Sequence, residues 1–273
     1  MIDHSFYLQG SREKGVLLVH GLTGAPTEMR FVGKQLHRMG FTVYAPTLAG
    51  HGGDEATLIN TTYEDWAAGL QKALSYVKER VSNVSAAGIC VGGALALHLA
   101  HQEKGRIDKV VIYAPALDYD GWNQPYWSRG ARIFKDLLIR IPSVRNTNFK
   151  ETHPFGVRDD RIRRLIVENP ESLEGVLPYF PARSLYQNYR LNDVLKKELP
   201  KINVPTLLIH AKDDDVSHPR NSYAIQKQHG GSCDVVLLED SYHMIHVDRE
   251  RHKVAELTGQ FFGVPEKQVT HPL

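Results

Sequence analysis

The sequence predicts an α/β fold: a mostly parallel central sheet with helices on both faces and an inserted helical cap. Three observations predict it. Short, continuous apolar runs alternate with helical patterns, as expected of strands buried on both faces of a parallel sheet. One such run passes through a Gly-x-Cys-x-Gly-Gly turn straight into an Ala/Leu-rich helical pattern, at Val84 to Ala100. The alternation then breaks after Asp118 and resumes at Pro205, leaving a long aromatic-rich stretch with no strand candidate of comparable quality.

Taken in order, Phe6-Tyr7-Leu8 reads as a short strand, and the glycine-bounded stretch Gly10 to Gly15 as the turn after it. Val16-Leu17-Leu18-Val19 is a buried-strand run. It ends in His20-Gly21-Leu22-Thr23-Gly24, after which Pro26 to Met39 reads as a helix. Phe41 to Ala45 is the next strand, closed by Pro46 and followed by the loop Leu48-Ala49-Gly50-His51-Gly52-Gly53-Asp54. Thr62 is a helix cap, with Glu64 and Asp65 in the first turn of a helix running to about Arg80. The run into the cysteine turn comes next, then the strand Lys109 to Tyr113. After the interruption come a strand at Pro205 to His210, a helix from Arg220 to His229 and a strand at Val235 to Leu238. A closing helix starts near Asp248.

Between Tyr119 and Pro200 only amphipathic pieces stand out, such as Ala131 to Ile141 and Arg183 to Leu199. Eleven aromatic residues fall there, which suggests an apolar covering surface. The expected division is therefore a core domain of residues 1–118 and 201–273, with 119–200 as a helical cap.

Composition narrows the function classes. A formal charge of +2 gives no reason to expect nucleic acid or an anionic membrane as partner. The first residues lack the basic and apolar pattern of a signal peptide, and no apolar run approaches the length of a membrane span. Cys90 and Cys233 are the two cysteines, too few for a disulfide scaffold, and a reduced cytoplasmic setting is the expectation.

The cysteine turn carries the chemistry. A strand that turns sharply into a helix exposes the turn residue at the carboxyl edge of a sheet, and glycines permit the tight backbone. A thiol at a helix amino end is favoured as thiolate by the helix dipole. The competing view is that Cys90 is a small buried hydrophobe. Thiol acyl transfer also needs a base, an acid to orient it, and amide donors for the oxyanion. Acids and histidines follow two late strands, in His210-Ala211-Lys212-Asp213-Asp214-Asp215-Val216 and Glu239-Asp240-Ser241-Tyr242-His243-Met244-Ile245-His246. Ligands of open α/β sheets sit outside such strand ends.

With these features in this order, the chain resembles the α/β-hydrolases of the bacterial carboxylesterase and monoacylglycerol-lipase type over nearly its whole length. The resemblance implies the α/β-hydrolase fold and assigns roles. Asp214 falls at the fourth position of the family's [G/A]-x-x-D-x-V pattern and is the implied acid. His243 ends an S-x-H pattern and is the implied base. The backbone amides of Leu22 and Val91 are the implied oxyanion hole. The family usually has serine where Cys90 stands. Cysteine there is similar to dienelactone hydrolases and to polyhydroxyalkanoate synthases and depolymerases, whose elbow is nearest in form.

The resulting expectation is a cofactor-independent, metal-free hydrolase of small apolar carboxylic esters, working through Cys90, His243 and Asp214 and a thioester intermediate. Acyl transfer or thioester hydrolysis on the same residues is the alternative within enzymes, and a non-catalytic ligand-binding protein the alternative outside them. Trp122, Tyr126 and Trp127 are candidates for the acyl pocket. Asp213 and Asp215 are expected to be solvated loop charges, and Arg158 to Arg164 a solvated helix face. His98 and His101 are expected at the surface or in packing, His51 in a turn role, and Cys233 as an inert thiol.

Overall fold

The computed structural model describes residues 2–125, 132–168 and 174–264. Five strands precede the interruption: β1 (Phe6–Leu8), β2 (Lys14–Val19), β3 (Thr42–Ala45), β4 (Asn83–Ile89) and β5 (Val110–Tyr113). Two short strands, β6 (Asn148–Lys150) and β7 (Tyr179–Pro181), lie within it, and β8 (Thr206–Ala211) and β9 (Cys233–Leu238) follow. Seven of them form one sheet in the order β1-β3-β2-β4-β5-β8-β9. Within this sheet only the β1–β3 pairing is antiparallel.

The period of two along each strand divides the core between the sheet faces. Val16 and Leu18 join Met29, Leu36, Val254 and Phe262 on one side. Leu17 and Val19 join Trp66, Leu70, Leu95 and Leu195 on the other. The Val16, Leu17, Leu18 and Val19 side chains are fully enclosed, each contributing roughly 1.5–3 kcal/mol of apolar burial. That is why the run reads as continuously apolar and not alternating.

The helices are α1 (Arg30–Arg38), α2 (Glu55–Leu58), α3 (Tyr63–Lys78), α4 (Val91–Gln102), α5 (Lys135–Leu138), α6 (Pro142–Arg145), α7 (Asp160–Glu168), α8 (Ala182–Glu198), α9 (Arg220–Gln228) and α10 (Arg251–Phe262). Thr62 caps α3 as expected, in a reciprocal box with Asp65. Pro26–Met29 forms a separate 3₁₀ turn before α1. The last helix starts at Arg251, three residues later than expected, because Asp248 is engaged elsewhere. Its carboxylate accepts the backbone N–H groups of Tyr242 and Arg158 at 2.8 Å each and that of Asp159 at 2.9 Å.

Two expectations for the interruption are corrected. It contains strands after all: β6 and β7 pair antiparallel, Phe149 opposite Phe180. At three residues each, they are too short to display a period of two. Its aromatic and aliphatic residues are also not all covered, since Phe134 and Leu137 keep 59% and 61% of their surface exposed. The long helix α8 does pack onto the core, through Leu191 and Leu195. Among the described residues no helix is long and apolar enough to cross a membrane.

Candidate active site

The groups singled out in the sequence arrive on four loops that leave the carboxyl ends of β2, β4, β8 and β9. Between β4 and α4, Cys90 adopts φ 53° and ψ −116°, a conformation that costs a residue with a side chain about 1–3 kcal/mol. It is held by its own N–H, which donates to the Tyr113 carbonyl at 3.0 Å. Two glycines make the turn possible. A Cβ on Gly88 would stand 2.4 Å from the Gly92 carbonyl carbon, and one on Gly92 2.3 Å from the Val19 oxygen. Val91 is the first residue of α4, so its N–H has no partner within the helix.

Asp214 and His243 meet in the interior, 2% and 5% exposed. Nδ1 of His243 lies 2.9 Å from Oδ2 of Asp214 and 3.2 Å from Oδ1. Oδ1 also accepts the backbone N–H groups of Val216 and Ser217 at 2.8 and 2.7 Å, and Nε2 of His210 lies 3.1 Å from Oδ2. Burial pushes the Asp214 carboxyl up, but the His243 charge and the hydrogen bonds from His210 and His243 outweigh it, and the acid is held well below its ordinary range. Burial likewise pulls the His243 imidazolium down. Asp214 and the nearby Cys90 sulfur overcome that and raise it well above the usual histidine value. Since Nδ1 faces Asp214, Nε2 is left for the sulfur. The ring is therefore held as an imidazolium near the Cys90 sulfur.

The loop after β2 is braced from both sides. His20 donates from Nδ1 to the Gly21 carbonyl at 2.9 Å and accepts the Leu48 N–H on Nε2 at 3.2 Å. His51 Nε2 sits 2.6 Å from the Leu22 carbonyl, and the Glu28 carboxyl takes the Gly21 N–H at 2.6 Å. Burial keeps both rings neutral, His20 well below its usual value and His51 at about 4. No acceptor among the described residues takes the N–H of Leu22 or of Val91.

The other candidates fall in different places. Asp213 is exposed and pairs with Arg158 at 3.0 Å, as a solvated loop charge does. Asp215 is not solvated, contrary to expectation. It is buried, accepting the N–H of Gly156 at 3.1 Å and of His243 at 3.3 Å, because the turn after β8 points it under the His243 loop. Arg158 also reaches Asp240 at 3.1 Å, while α7 beyond it buries no residue. His98 is buried against Glu198 at 2.7 Å, joining α4 to α8. His246 stacks on Tyr113, and burial holds it at about 3. Burial pushes the Cys233 thiol up to about 12.

A cavity of about 660 Å³ adjoins the site. Tyr119, Asp215 and Gly156 line its inner end, while Leu138, Val144, Phe149, Phe180 and Leu185 line its apolar walls. Cys90 is not among the lining residues; the cavity approaches it through Tyr119, which packs on the apolar cluster that contains Cys90. Trp122 stands at the rim, 58% exposed, its indole N–H donating to the Asp213 carbonyl at 2.9 Å. Tyr126 and Trp127 lie outside the described residues.

Sequence reasoning missed His210, misplaced Asp215, and missed two carboxyls near enough to feel the His243 charge, Glu28 and Glu151. Burial raises each of these two to about 7. Both residues keep some surface open, but their carboxyl ends are enclosed. His210 had a legible signal, as a polar residue ending an apolar strand. Glu28 and Glu151 had none, since each looks like an ordinary surface glutamate.

Comparison with known proteins agrees with this geometry. The thermostable monoacylglycerol lipase of Bacillus sp. (strain H-257) is 29% identical over 250 residues, 91% of this chain and 90% of its own length. A carboxylesterase of Bacillus subtilis (strain 168) is 23% identical over 265 residues, 91% of this chain and 92% of its own. A solved structure from the metagenome-derived lipolytic enzymes LipS and LipT superposes with a TM-score of 0.79 at 27% identity, covering 94% of this chain and 96% of that one. The sequence profile of the Hydrolase_4 family, described as serine aminopeptidase S33, matches residues 10–250. With an α/β-hydrolase sheet, an elbow at its centre and a match spanning most of its length, the chain belongs to the Hydrolase_4 (serine aminopeptidase, S33) family of α/β-hydrolases.

Proposed function

We propose that the chain hydrolyses apolar carboxylic esters through Cys90, His243 and Asp214. It is an ester-hydrolysing α/β-hydrolase, in keeping with its lipase and esterase relatives. The support for the finer reading is the buried imidazole of His243, held between Asp214 and the Cys90 sulfur. The Cys90 thiolate attacks the acyl carbonyl, and the carbonyl electron pair moves to oxygen, held by the N–H groups of Leu22 and Val91. The C–O bond then breaks, His243 gives its proton to the departing alcohol, and a thioester remains. His243 next takes a proton from water as the water attacks the thioester. The C–S bond breaks with its electron pair on sulfur, and the acid departs. Asp214 fixes the ring tautomer and steadies the imidazolium.

Residues 119–200 act as a cap on this reading, with 1–118 and 201–273 as the core. The support is the cavity wall, drawn mostly from that segment. Its apolar lining suits an acyl chain, with a gain of at most about 0.8 kcal/mol, roughly fourfold, per methylene buried.

A nitrophenyl ester series from acetate to long chains tests both parts. Cys90→Ala is expected to remove turnover, Cys90→Ser to retain some, and the wild type to accumulate an acyl-enzyme with the mass of a thioester. Specificity is expected to rise beyond acetate, and Trp122→Ala to weaken that rise more than it weakens acetate hydrolysis. Full activity in Cys90→Ala would end the nucleophile assignment. A flat chain-length profile would end the acyl-pocket reading.

A further inference from the structure

We propose that Asp215 and Asp248 are positioning residues that tie His243 to the wall of the acyl cavity, so that acyl length is read in turnover as well as in binding. The inference rests on His243 being the base and the cavity being the acyl pocket.

Three consecutive backbone N–H groups of the histidine loop end on one stretch of the interruption, residues 156–159, just before α7. Met244 donates directly to the Gly156 carbonyl at 2.7 Å. His243 donates to one oxygen of Asp215 at 3.3 Å, and the other oxygen takes the Gly156 N–H at 3.1 Å. Tyr242 donates to Asp248 at 2.8 Å, and the same carboxylate takes the N–H groups of Arg158 and Asp159 at 2.8 and 2.9 Å. Both carboxylates are buried, where a backbone N–H left without an acceptor is costly. The two segments are therefore tied together. They are also in close contact: a Cβ on Gly156 would stand 3.2 Å from Cβ of His243 and 2.9 Å from Cγ of Met244.

The same stretch faces the cavity. Phe155, Gly156 and Asp215 line it, with Glu151 and Thr152 just before them in the chain. Phe155 and Gly156 both hold a left-handed backbone, with φ 60° and 68°. A phenylalanine keeps that conformation only where the structure around it enforces it. A long acyl chain packs on this wall and holds in place the stretch that carries His243. An acetyl group offers it a single methyl. During deacylation the chain is still in the cavity while His243 takes a proton from water. A misplacement of about 1 Å at such a step costs on the order of a hundredfold.

The test is the nitrophenyl ester series from acetate to octanoate, with kcat and kcat/KM separated at each length. The leaving group is constant, so only the acyl chain varies. In the wild type both are expected to rise, kcat by about tenfold. Asp215→Asn keeps one acceptor oxygen for two N–H groups and breaks one side of the bridge. It should lose about tenfold in kcat with octanoate and about twofold with acetate, which shrinks the rise to about twofold while kcat/KM still climbs. Gly156→Ala, which puts a methyl between the two segments at a positive φ, is the second variant and should shrink the rise as well. A rise in kcat kept in full by both variants overturns the proposal even if every kcat is lower, because simple support of the fold scales all esters alike. So does a flat wild-type kcat beneath a rising kcat/KM. Failure of the underlying reading looks different: a flat kcat/KM removes the acyl pocket, and full turnover in His243→Ala removes the base.

Discussion

The chain's two cysteines lie at opposite edges of one sheet. Cys90 sits at the carboxyl end of β4, at the start of α4, with a left-handed backbone and the His243 ring near its sulfur. Cys233 begins β9, where burial and the neighbouring Asp234 push its thiol up to about 12. The side chain is the same and the surroundings differ, because parallel strands all present their outgoing loops at one edge. That edge gathers Asp214, His243, Asp215 and Glu28, and Glu151 joins them from the interruption. The edge at which the strands begin carries no such cluster among the described residues.

The largest expected effect is on alkylation itself. Near pH 7.5 a thiol titrating at about 12 is ionised to less than about one part in 10⁴, and only the thiolate reacts. Limited iodoacetamide is therefore expected to label Cys90 at least about a hundredfold faster than Cys233, read by peptide mass. Comparable rates would erase the contrast between the edges.

Next in size is the acid. Asp214→Asn is expected to lower kcat by two to four orders of magnitude, roughly the scale of a wrong-tautomer lesion. Asp213→Asn, on an exposed pair with Arg158, should stay within about twofold. Asp215→Asn should fall between, near tenfold, because it supports the backbone of His243 without touching the ring. Equal losses at all three positions would mean that loop charge in general, and not the Asp214 contact, tunes the imidazole.

The smallest effect concerns the stability cost of the crowded edge. Glu28 and Glu151 hold their protons to about pH 7 when folded, against 4.5 ordinarily. As pH rises from 4.5 to 7 the unfolded chain ionises them while the folded one does not, so stability falls across that window and levels off above it. Glu28→Gln keeps an oxygen for the Gly21 N–H and removes the charge. It should gain about 1–3 kcal/mol relative to wild type at pH 8 and little at pH 5. Thermal unfolding at the two pH values reads this. An identical gain at both would assign the effect to packing.

The sheet was legible because a strand buried on both faces must be apolar throughout, as Val16 to Val19 are, and the elbow because Gly88 and Gly92 leave no room for a side chain. Asp214 and His243 were identified by family resemblance, since local chemistry alone left three adjacent aspartates open. The strands β6 and β7 escaped notice because three residues carry no period. Trp122 could be named but not placed at a rim.

What the sequence by itself determined is the order of strands and helices, the turn at Cys90 and the loops that bear the acid and the histidine. These depend on residue type and spacing along a few neighbouring positions. Only the tertiary structure decided which aspartate faces the ring, that Asp215 is buried, that Glu28 and Glu151 are enclosed carboxyls, and that Asn188 holds the Tyr119 hydroxyl. Each of these pairs residues far apart in the chain, and burial and hydrogen bonding act through space.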